Sequence, residues 1–244
     1  MKSFFAIFPI ALAWSILGFA SPPQKPADTG GLEAVLKKMD AAAAGFRTTQ
    51  AEFEWDRYEK VIDEVDDVQS GTIYYRRSGK DIEMKADIKM AGSDPKTLKQ
   101  EPKYVLFSGG TVRMYQPKPD QETVYDLGKN RADIESYVVL GVGGSGQDLA
   151  KAFDVTYLGP ETISGVATAK LQLVPKSDKV RNTFNQILLW IDLDRGISVQ
   201  QQFFTPQGDY RLCKYSSIRV NEKIGNDVFK LKTTSKTQTI SPRG

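Results

Sequence analysis

Four residues in the middle of the chain have the types and spacing of a nucleotide site. Gly141, Gly143 and Gly146 form the pattern G-x-G-x-x-G, and Glu161 follows the first glycine by twenty residues. In dinucleotide-binding proteins such glycines bring the backbone close to a pyrophosphate at a helix N-terminus, and the acidic residue holds a ribose hydroxyl. That chemistry needs a strand before the glycines and a crossover helix after them. The surrounding elements therefore decide whether the motif is a nucleotide site.

The flanking residues fit two short helices and a glycine-rich hinge equally well. "RADIESYVVLG" has apolar residues at helical spacing, and Gly141 would follow them as a C-terminal cap. "SGQDLAKAF" places Ser145 three residues before Asp148, which is the spacing of a helix-capping pair.

The wider pattern argues against the nucleotide. The helix after the glycines has about seven or eight residues, whereas a complete βαβ crossover takes about a dozen or more. No other helix alternates with the strands, and Glu161 lies in "GPET", which we expect to face solvent. We therefore predict no NAD and no other cofactor, and we assign Gly141, Gly143, Gly144 and Gly146 to a hinge.

The composition excludes several kinds of active site. The 244 residues include no histidine, which removes Ser-His-Asp and Cys-His catalysis and the zinc sites built on histidine. A site built from carboxylates, Lys or Tyr stays open. Cys213 is the single cysteine, so no internal disulfide can form, and we expect a small buried apolar residue there. We predict a protein without a catalytic or metal site.

The charge balance gives no case for nucleic acid as a partner. There are 33 basic and 30 acidic residues, a net charge of +3, and no run of Lys and Arg forms a dense patch. We therefore predict no nucleic-acid partner, and we expect the protein to be a monomer.

The N-terminus has the organisation of a secretory signal peptide. "MKSFFAIFPIALAWSILGFASPP" begins with a basic residue, continues as an apolar run and ends in small residues, with a cleavage site after Ala20. A retained membrane anchor is the alternative, although the apolar run is short for a membrane span. We assign residues 1–20 to the signal peptide, 21–31 to a flexible leader and 32–240 to one domain.

The domain begins with a helix and continues mainly as strands. One apolar helix face is formed by Leu32, Val35, Leu36, Met39 and Ala43, and Gly45 marks the end. From residue 50 the apolar residues alternate with polar ones, as in "AEFEWDRYEKV", and turn signals separate about ten such stretches. The pattern predicts an antiparallel sheet with one apolar side.

That apolar side has more bulky residues than one helix can cover. The residues that we place on it are Phe53, Trp55, Ile73, Tyr75, Met84, Val105, Phe107, Met114, Leu189, Ile191 and Phe203. They could form a filled core, or they could line a cavity for an apolar ligand beneath the helices. Alternation reports burial and cannot distinguish the two.

Four stretches resemble a known family in order and spacing. "GTIYYRRSGK", "FSGGTVRMYQPKPDQETVY", "LQLVPKSDKVRNTFNQILLWID" and "FFTPQGDYRLCKYSSIRVNEKIGNDVFKL" are similar to successive motifs of the periplasmic lipoprotein carrier LolA and its relatives. The resemblance covers about residues 32 to 240. It implies a mainly β fold with some α, in which an unclosed antiparallel β-barrel, a curved sheet, is covered by a helical lid over a hydrophobic cavity.

The resemblance also implies a function and partners. Its members are periplasmic carriers that receive acylated lipoproteins from an inner-membrane lipoprotein-releasing transporter and deliver them to an outer-membrane acceptor. Arg77 matches the strand arginine that holds the lid closed through hydrogen bonds to a helix backbone. The alternative for Arg77 is a solvated residue at the strand end, because Ser78 replaces the family's usual proline and Arg76 could take the same register.

Three functions follow from these residues, in order of preference. The first is a non-enzymatic carrier of acylated lipoproteins or lipids in the periplasm. The second is a sensor of the same fold, which binds lipid or misfolded envelope protein and signals to a membrane partner. The third is a nucleotide-dependent or carboxylate-based enzyme, which the missing histidines and the β-rich pattern disfavour.

Overall fold

The computed structural model describes residues 29–79, 81–128, 138 and 140–242, with the backbone alone at 29, 30 and 78. The predicted signal peptide, most of the leader and most of the helix predicted before Gly141 lie outside these residues. The strands are β1 (Thr48–Glu59), β2 (Glu64–Ser78), β3 (Asp81–Gly92), β4 (Lys99–Ser108), β5 (Thr111–Gln116), β6 (Gln121–Asp126), β7 (Phe153–Ile163), β8 (Val166–Pro175), β9 (Gln186–Asp192), β10 (Ser198–Phe204), β11 (Tyr210–Val220) and β12 (Gln238–Ile240). The helices are α1 (Thr29–Gly45), α2 (Gly146–Ala152), α3 (Asp178–Arg181) and a 3₁₀ helix (Asn226–Phe229).

The twelve strands in the described part of the chain all belong to one sheet. Their order is β12-β6-β5-β4-β3-β2-β1-β11-β10-β9-β8-β7, and every neighbouring pair is antiparallel except β12 and β6. The two edge strands do not pair with each other, so the barrel is unclosed. The predicted fold class, a mainly antiparallel curved sheet with helices, is confirmed.

The first helix is close to its prediction. α1 begins at Thr29, three residues before the predicted start, and ends at Gly45 as expected. Val35 and Met39 are buried against β8 and β9, which shows that the apolar helical face is the one that packs on the sheet. We call the sheet surface that faces α1 the inner face.

The second predicted helix and its cap are also confirmed. In α2 the Ser145 hydroxyl accepts a hydrogen bond from the Asp148 backbone N–H at 3.0 Å and donates one to the Asp148 carboxylate at 2.7 Å. The first of these bonds satisfies a donor that the first helical turn leaves without a partner. Leu149 then packs against the core that α1 covers.

The prediction that only one side of the sheet is apolar is wrong for β9. Leu188 and Trp190 point away from α1 and form a buried outer cluster with Val199, against which Ile163 and Val166 pack. Nearly every residue of "QILLWID" is buried because both faces of this strand are covered. The tip of the β7–β8 hairpin provides the outer cover.

The C-terminal segment contacts the sheet on its outer face. The 3₁₀ helix lies against β3, where the Arg76 guanidinium stacks 4.3 Å from the centre of the Phe229 ring and donates to Asn226 Oδ1 at 2.6 Å. Further along, Thr234 and Thr237 donate hydrogen bonds of 2.6 Å to Asp120, and β12 pairs with β6. The C-terminal segment therefore lies on the outer face, and the inner face is covered by the helices.

Candidate functional site

An apolar cavity of about 210 Å³ lies on the inner face of the sheet, over its central strands. Five residues predicted for the apolar face line it: Trp55, Ile73, Tyr75, Met84 and Phe203. They come from β1, β2, β3 and β10, which the register brings side by side through β11. The volume is below the range of about 300–1,000 Å³ that small-molecule sites usually have, so a long guest would need the cover to move.

The other six predicted residues lie on the same face outside this cavity lining. Leu189 and Ile191 are completely buried beneath α1, in the core cluster of β8 and β9. Phe53 belongs to a second buried cluster, and Phe107 is completely buried. Val105 packs against that second cluster and pairs with Met114, which is half-buried.

The inner face therefore contains both structures that its apolar pattern allowed, a filled core and a cavity. One half is a filled core, because α1 and α2 lie directly on β8 and β9. Over the central strands the cover is Phe46 and Val142, which follow α1 and Gly141, and the packing there leaves the cavity. Whether this cavity binds a ligand stays a prediction.

Several cavity residues are polar. The Tyr215 hydroxyl contacts Gln201 Oε1 at 3.4 Å and interacts with Tyr75, and Gln201 Nε2 donates to the Leu140 carbonyl at 2.6 Å. Burial raises the pKa of both tyrosine hydroxyls, and it raises the pKa of the Cys213 thiol to about 12. These groups are neutral at pH 7, so the thiol is a poor nucleophile and the hydroxyls serve as hydrogen-bonding groups.

Sequence reasoning missed the part of the lining that β11 supplies. Arg211, Cys213 and Tyr215 alternate along that strand and share one face of it. Their period of two was available in "DYRLCKYSS", but the polar residues in that stretch gave no sign of which face is covered. Phe184, which also lines the cavity, lies in a connecting segment and carried no such signal, whereas Val138 belongs to the helix predicted before Gly141.

Arg77 lies at the junction of the sheet, α1 and the glycine segment. Its Nη1 donates to the Ala43 carbonyl in the last turn of α1 at 3.3 Å, and its Nη2 donates to the Gly143 carbonyl at 2.6 Å. The guanidinium also lies 5.5 Å from the centre of the Phe46 ring. Arg76, the other residue considered for this register, points to the outer face and pairs with Glu83. Carbonyls at a helix C-terminus lack intrahelical donors, so a cation there is favourable.

Three of the four predicted hinge glycines are closely packed. Gly141 and Gly143 have φ values of +70° and +76°, and a Cβ on Gly143 would lie 2.5 Å from the Phe46 ring. A Cβ on Gly146 would lie 2.4 Å from the Leu36 carbonyl oxygen in α1. Gly144 has no positive φ and borders a small void of about 60 Å³ beneath α2. Their role as a hinge stays a prediction.

The surroundings of the glycine motif differ from those of a dinucleotide site. The short α2 leads into β7, which pairs antiparallel with β8, so the strand after the motif belongs to a hairpin. Glu161 is exposed on β7 and forms an ion pair with Lys170 at 3.0 Å.

The described residues contain neither a metal-binding group nor a membrane helix. No three or more Cys, Asp or Glu side chains among them are grouped so that they could hold a metal ion. Within the same part of the chain, no helix is long and apolar enough to cross a membrane.

Comparison with known proteins gives a likeness in fold alone. No protein-family model matches the chain, and no curated protein is similar to it in sequence. The crystal structure of MucB matches with a TM-score of 0.52 and 11% identity, over 86% of this chain and 66% of that one. The chain thus spans slightly less than two thirds of MucB. An uncharacterized conserved protein from Thermus thermophilus matches with a TM-score of 0.50 and 10% identity, over 88% of this chain and 98% of that one.

The architecture is an unclosed antiparallel sheet with helices on its inner face, as the sequence motifs implied. The fold of this chain is similar to that of MucB. A LolA superfamily protein from Nitrosomonas europaea also matches, with a TM-score of 0.37 and 13% identity, over 82% of this chain and 97% of that one. At such identities, a likeness in fold concerns the arrangement of strands and helices and leaves the ligand open.

Proposed function

We propose that this protein is a non-enzymatic periplasmic carrier, which buries the acyl chains of lipoproteins or lipids and moves them from the inner to the outer membrane. The observation that carries the proposal is the apolar cavity on the inner face, lined by Trp55, Ile73 and Met84 beneath a cover that follows the helices. Each CH₂ group removed from water gains about 0.8 kcal/mol, so a soluble carrier needs such a surface. The predicted signal peptide supports export.

The segments that cover the cavity suit reversible loading of a ligand, because hydrogen bonds help to hold them against the sheet. Arg77 bonds to α1 and to the glycine segment, and Gln201 bonds to the Leu140 carbonyl just before Gly141. A few hydrogen bonds of about 0.5–1.5 kcal/mol each can be exchanged for ligand contacts at small net cost. We propose that Arg77 stabilises the closed, empty state and that the residues around Gly144 allow the cover to move.

Native mass spectrometry of the protein purified from its host tests the carrier function. We expect a bound acyl lipid or lipoprotein, and after its removal we expect the cavity to take up a neutral apolar dye such as Nile red. Protein that carries no lipid and does not bind the dye would contradict the proposal. The sensor alternative predicts instead a stable complex with a membrane protein that forms without delivery of cargo to an acceptor membrane.

Substitution of Arg77 tests its assigned role. In Arg77→Leu we expect cargo to be accepted but released poorly, because the closed, empty state loses the hydrogen bonds that favour it. The measurement is transfer of a fluorescent acyl lipid from the protein to acceptor vesicles. Arg76→Leu is the matched control, since this neighbour lies on the outer face and should leave transfer unchanged. Transfer by Arg77→Leu at the wild-type rate would remove the role.

A further inference from the structure

Arg211 differs from the other residues that line the cavity, because it brings a charge to an apolar surface. It lies on β11 opposite Phe203 of β10, and it shares its face with Cys213 and Tyr215. The residue is exposed, so its guanidinium is at the solvent side of the cavity and Cys213 is at the buried side. The described residues that line the cavity include no Asp or Glu.

The guanidinium of Arg211 has no partner in the part of the chain that the structure describes: no hydrogen bond or ion pair to it occurs there. Arg57, which lies opposite Arg211 in the β1–β11 pair, does have an ionic partner. Arg57 forms a two-point ion pair with Asp66, with Nε–Oδ1 and Nη2–Oδ2 distances of 2.9 and 2.7 Å. The guanidinium of Arg57 therefore already has a carboxylate partner, whereas that of Arg211 can bind a ligand.

The charge of Arg211 also acts on the interior of the cavity. Burial raises the pKa of the Cys213 thiol, and the positive charge of Arg211 acts against this rise. The effect agrees with the placement of the guanidinium above the cavity floor.

We propose that Arg211 binds the anionic head group of an amphiphile whose single alkyl chain lies in the cavity. This rests on the proposed carrier function and narrows its ligand. A guanidinium matches carboxylate and phosphate oxygens with two parallel hydrogen bonds. The apolar wall of Trp55, Met84 and Phe203 would contact the chain. The small volume of about 210 Å³ favours one chain over the several chains of an acylated lipoprotein.

The test compares head groups on one chain length by displacement of Nile red from delipidated full-length protein. Dodecanoate, dodecyl phosphate and 1-dodecanol are used below their aggregation concentrations. We expect the two anions to bind about tenfold more tightly than the alcohol, since hydrogen bonds to charged groups are the stronger ones. The relative affinity of carboxylate and phosphate then identifies the preferred head group. Acetate and inorganic phosphate should not displace the dye.

Variants assign the preference to one residue. Arg211→Gln should lower the affinity for both anions about tenfold and leave that for 1-dodecanol unchanged, and Arg211→Lys should restore part of the loss. Arg219→Gln, on the same strand but paired with Glu222 at 3.7 Å, is the control and should change nothing. Because Arg211 is exposed and has no partner among the described residues, we expect both of its variants to fold with a wild-type Tm.

The experiment distinguishes failure of the head-group assignment from failure of the carrier function. The head-group assignment is overturned if the two anions bind no more tightly than 1-dodecanol, or if Arg211→Gln changes the affinity for neither anion. In both cases the apolar carrier function stands. If acetate displaces the dye as well as dodecanoate does, the assignment is also overturned. If neither the dye nor any dodecyl compound binds the wild type, the carrier function itself fails.

Discussion

Asn221 joins the end of β11 to the junction between α1 and β1. Its side-chain Oδ1 accepts a hydrogen bond from the Arg47 N–H at 2.8 Å, and its Nδ2 donates to the Gly45 carbonyl at 2.9 Å. Its φ of +60° is a left-handed conformation, which asparagine tolerates better than other residues with a side chain. One residue thus satisfies backbone groups that the end of α1 leaves open.

We predict that Asn221→Ala lowers the free energy of unfolding by about 2 kcal/mol, because it removes both hydrogen bonds and strains the backbone. For a chain of this size the Tm should fall by roughly 4–8 °C. Asn221→Gly is the matched control, since it loses the same hydrogen bonds and keeps the left-handed conformation without strain. A larger loss for glycine than for alanine in urea unfolding would argue against this account.

At the scale of elements, the glycine segment between the sheet and α2 combines close packing with a change of direction. Gly143 lets Phe46 lie against the backbone, and Gly146 lets α2 approach α1. Gly144 lies between them without a positive φ. Backbone freedom in this segment is therefore best tested at Gly144.

We predict that Gly144→Ala slows uptake of Nile red, while the free energy of unfolding stays the same or rises by about 0.4–1 kcal/mol, because alanine restricts the unfolded chain more than glycine does. Gly143→Ala should instead lower the free energy of unfolding by about 1–3 kcal/mol through its clash with Phe46. Stopped-flow fluorescence and urea unfolding measure the two effects. Uptake by Gly144→Ala at the wild-type rate would show that this residue is not part of a hinge.

At the scale of the whole molecule, the cavity floor makes the fold sensitive to high pH. Cys213, Tyr75 and Tyr215 have pKa values that burial raises above their ordinary values of 9.0 for the thiol and 10.0 for the hydroxyls. The unfolded chain therefore releases protons that the folded chain retains. The stabilisation is complete below pH 9 and is lost as the pH rises above it.

We predict that the Tm falls steadily between pH 9 and 11, and that Cys213→Ala shows a shallower fall between pH 9 and 10, because the thiol has the lowest ordinary pKa of the three. Calorimetric scans from pH 7 to 11 measure this, with the Tm at pH 7 as the reference for each protein. A wild-type Tm that is constant up to pH 10.5 would show that these groups do not limit stability.

Much of the fold could be predicted because its signals are local. The apolar spacing of Val35 and Met39 identified the buried face of α1, and the pair of Ser145 and Asp148 identified the start of α2. Alternation along β1 separated Phe53, which is buried, from Glu52, which is exposed. Each signal depends on residues within one or two turns or strand repeats.

The candidate site could be predicted only in part. The sequence identified the inner face that contains Trp55 and Phe203, but it grouped them with Leu189, which is in the filled core. The difference depends on whether a helix or a loop lies above each residue, and periodicity does not contain that information. The placement of Arg211 over the cavity was missed for the same reason.

By itself, the sequence determined the α1 face, the alternating strands, the cap of α2 and the absence of histidine chemistry, because each depends on residue type and short-range spacing. Only the tertiary structure decided that Arg77 faces the end of α1, whereas Arg76 faces the outer surface. It also decided that β9 is buried on both faces and that a cavity remains over the central strands. These features depend on the register between distant strands and on what packs above them, since a side chain's surroundings are set by residues far away in the chain.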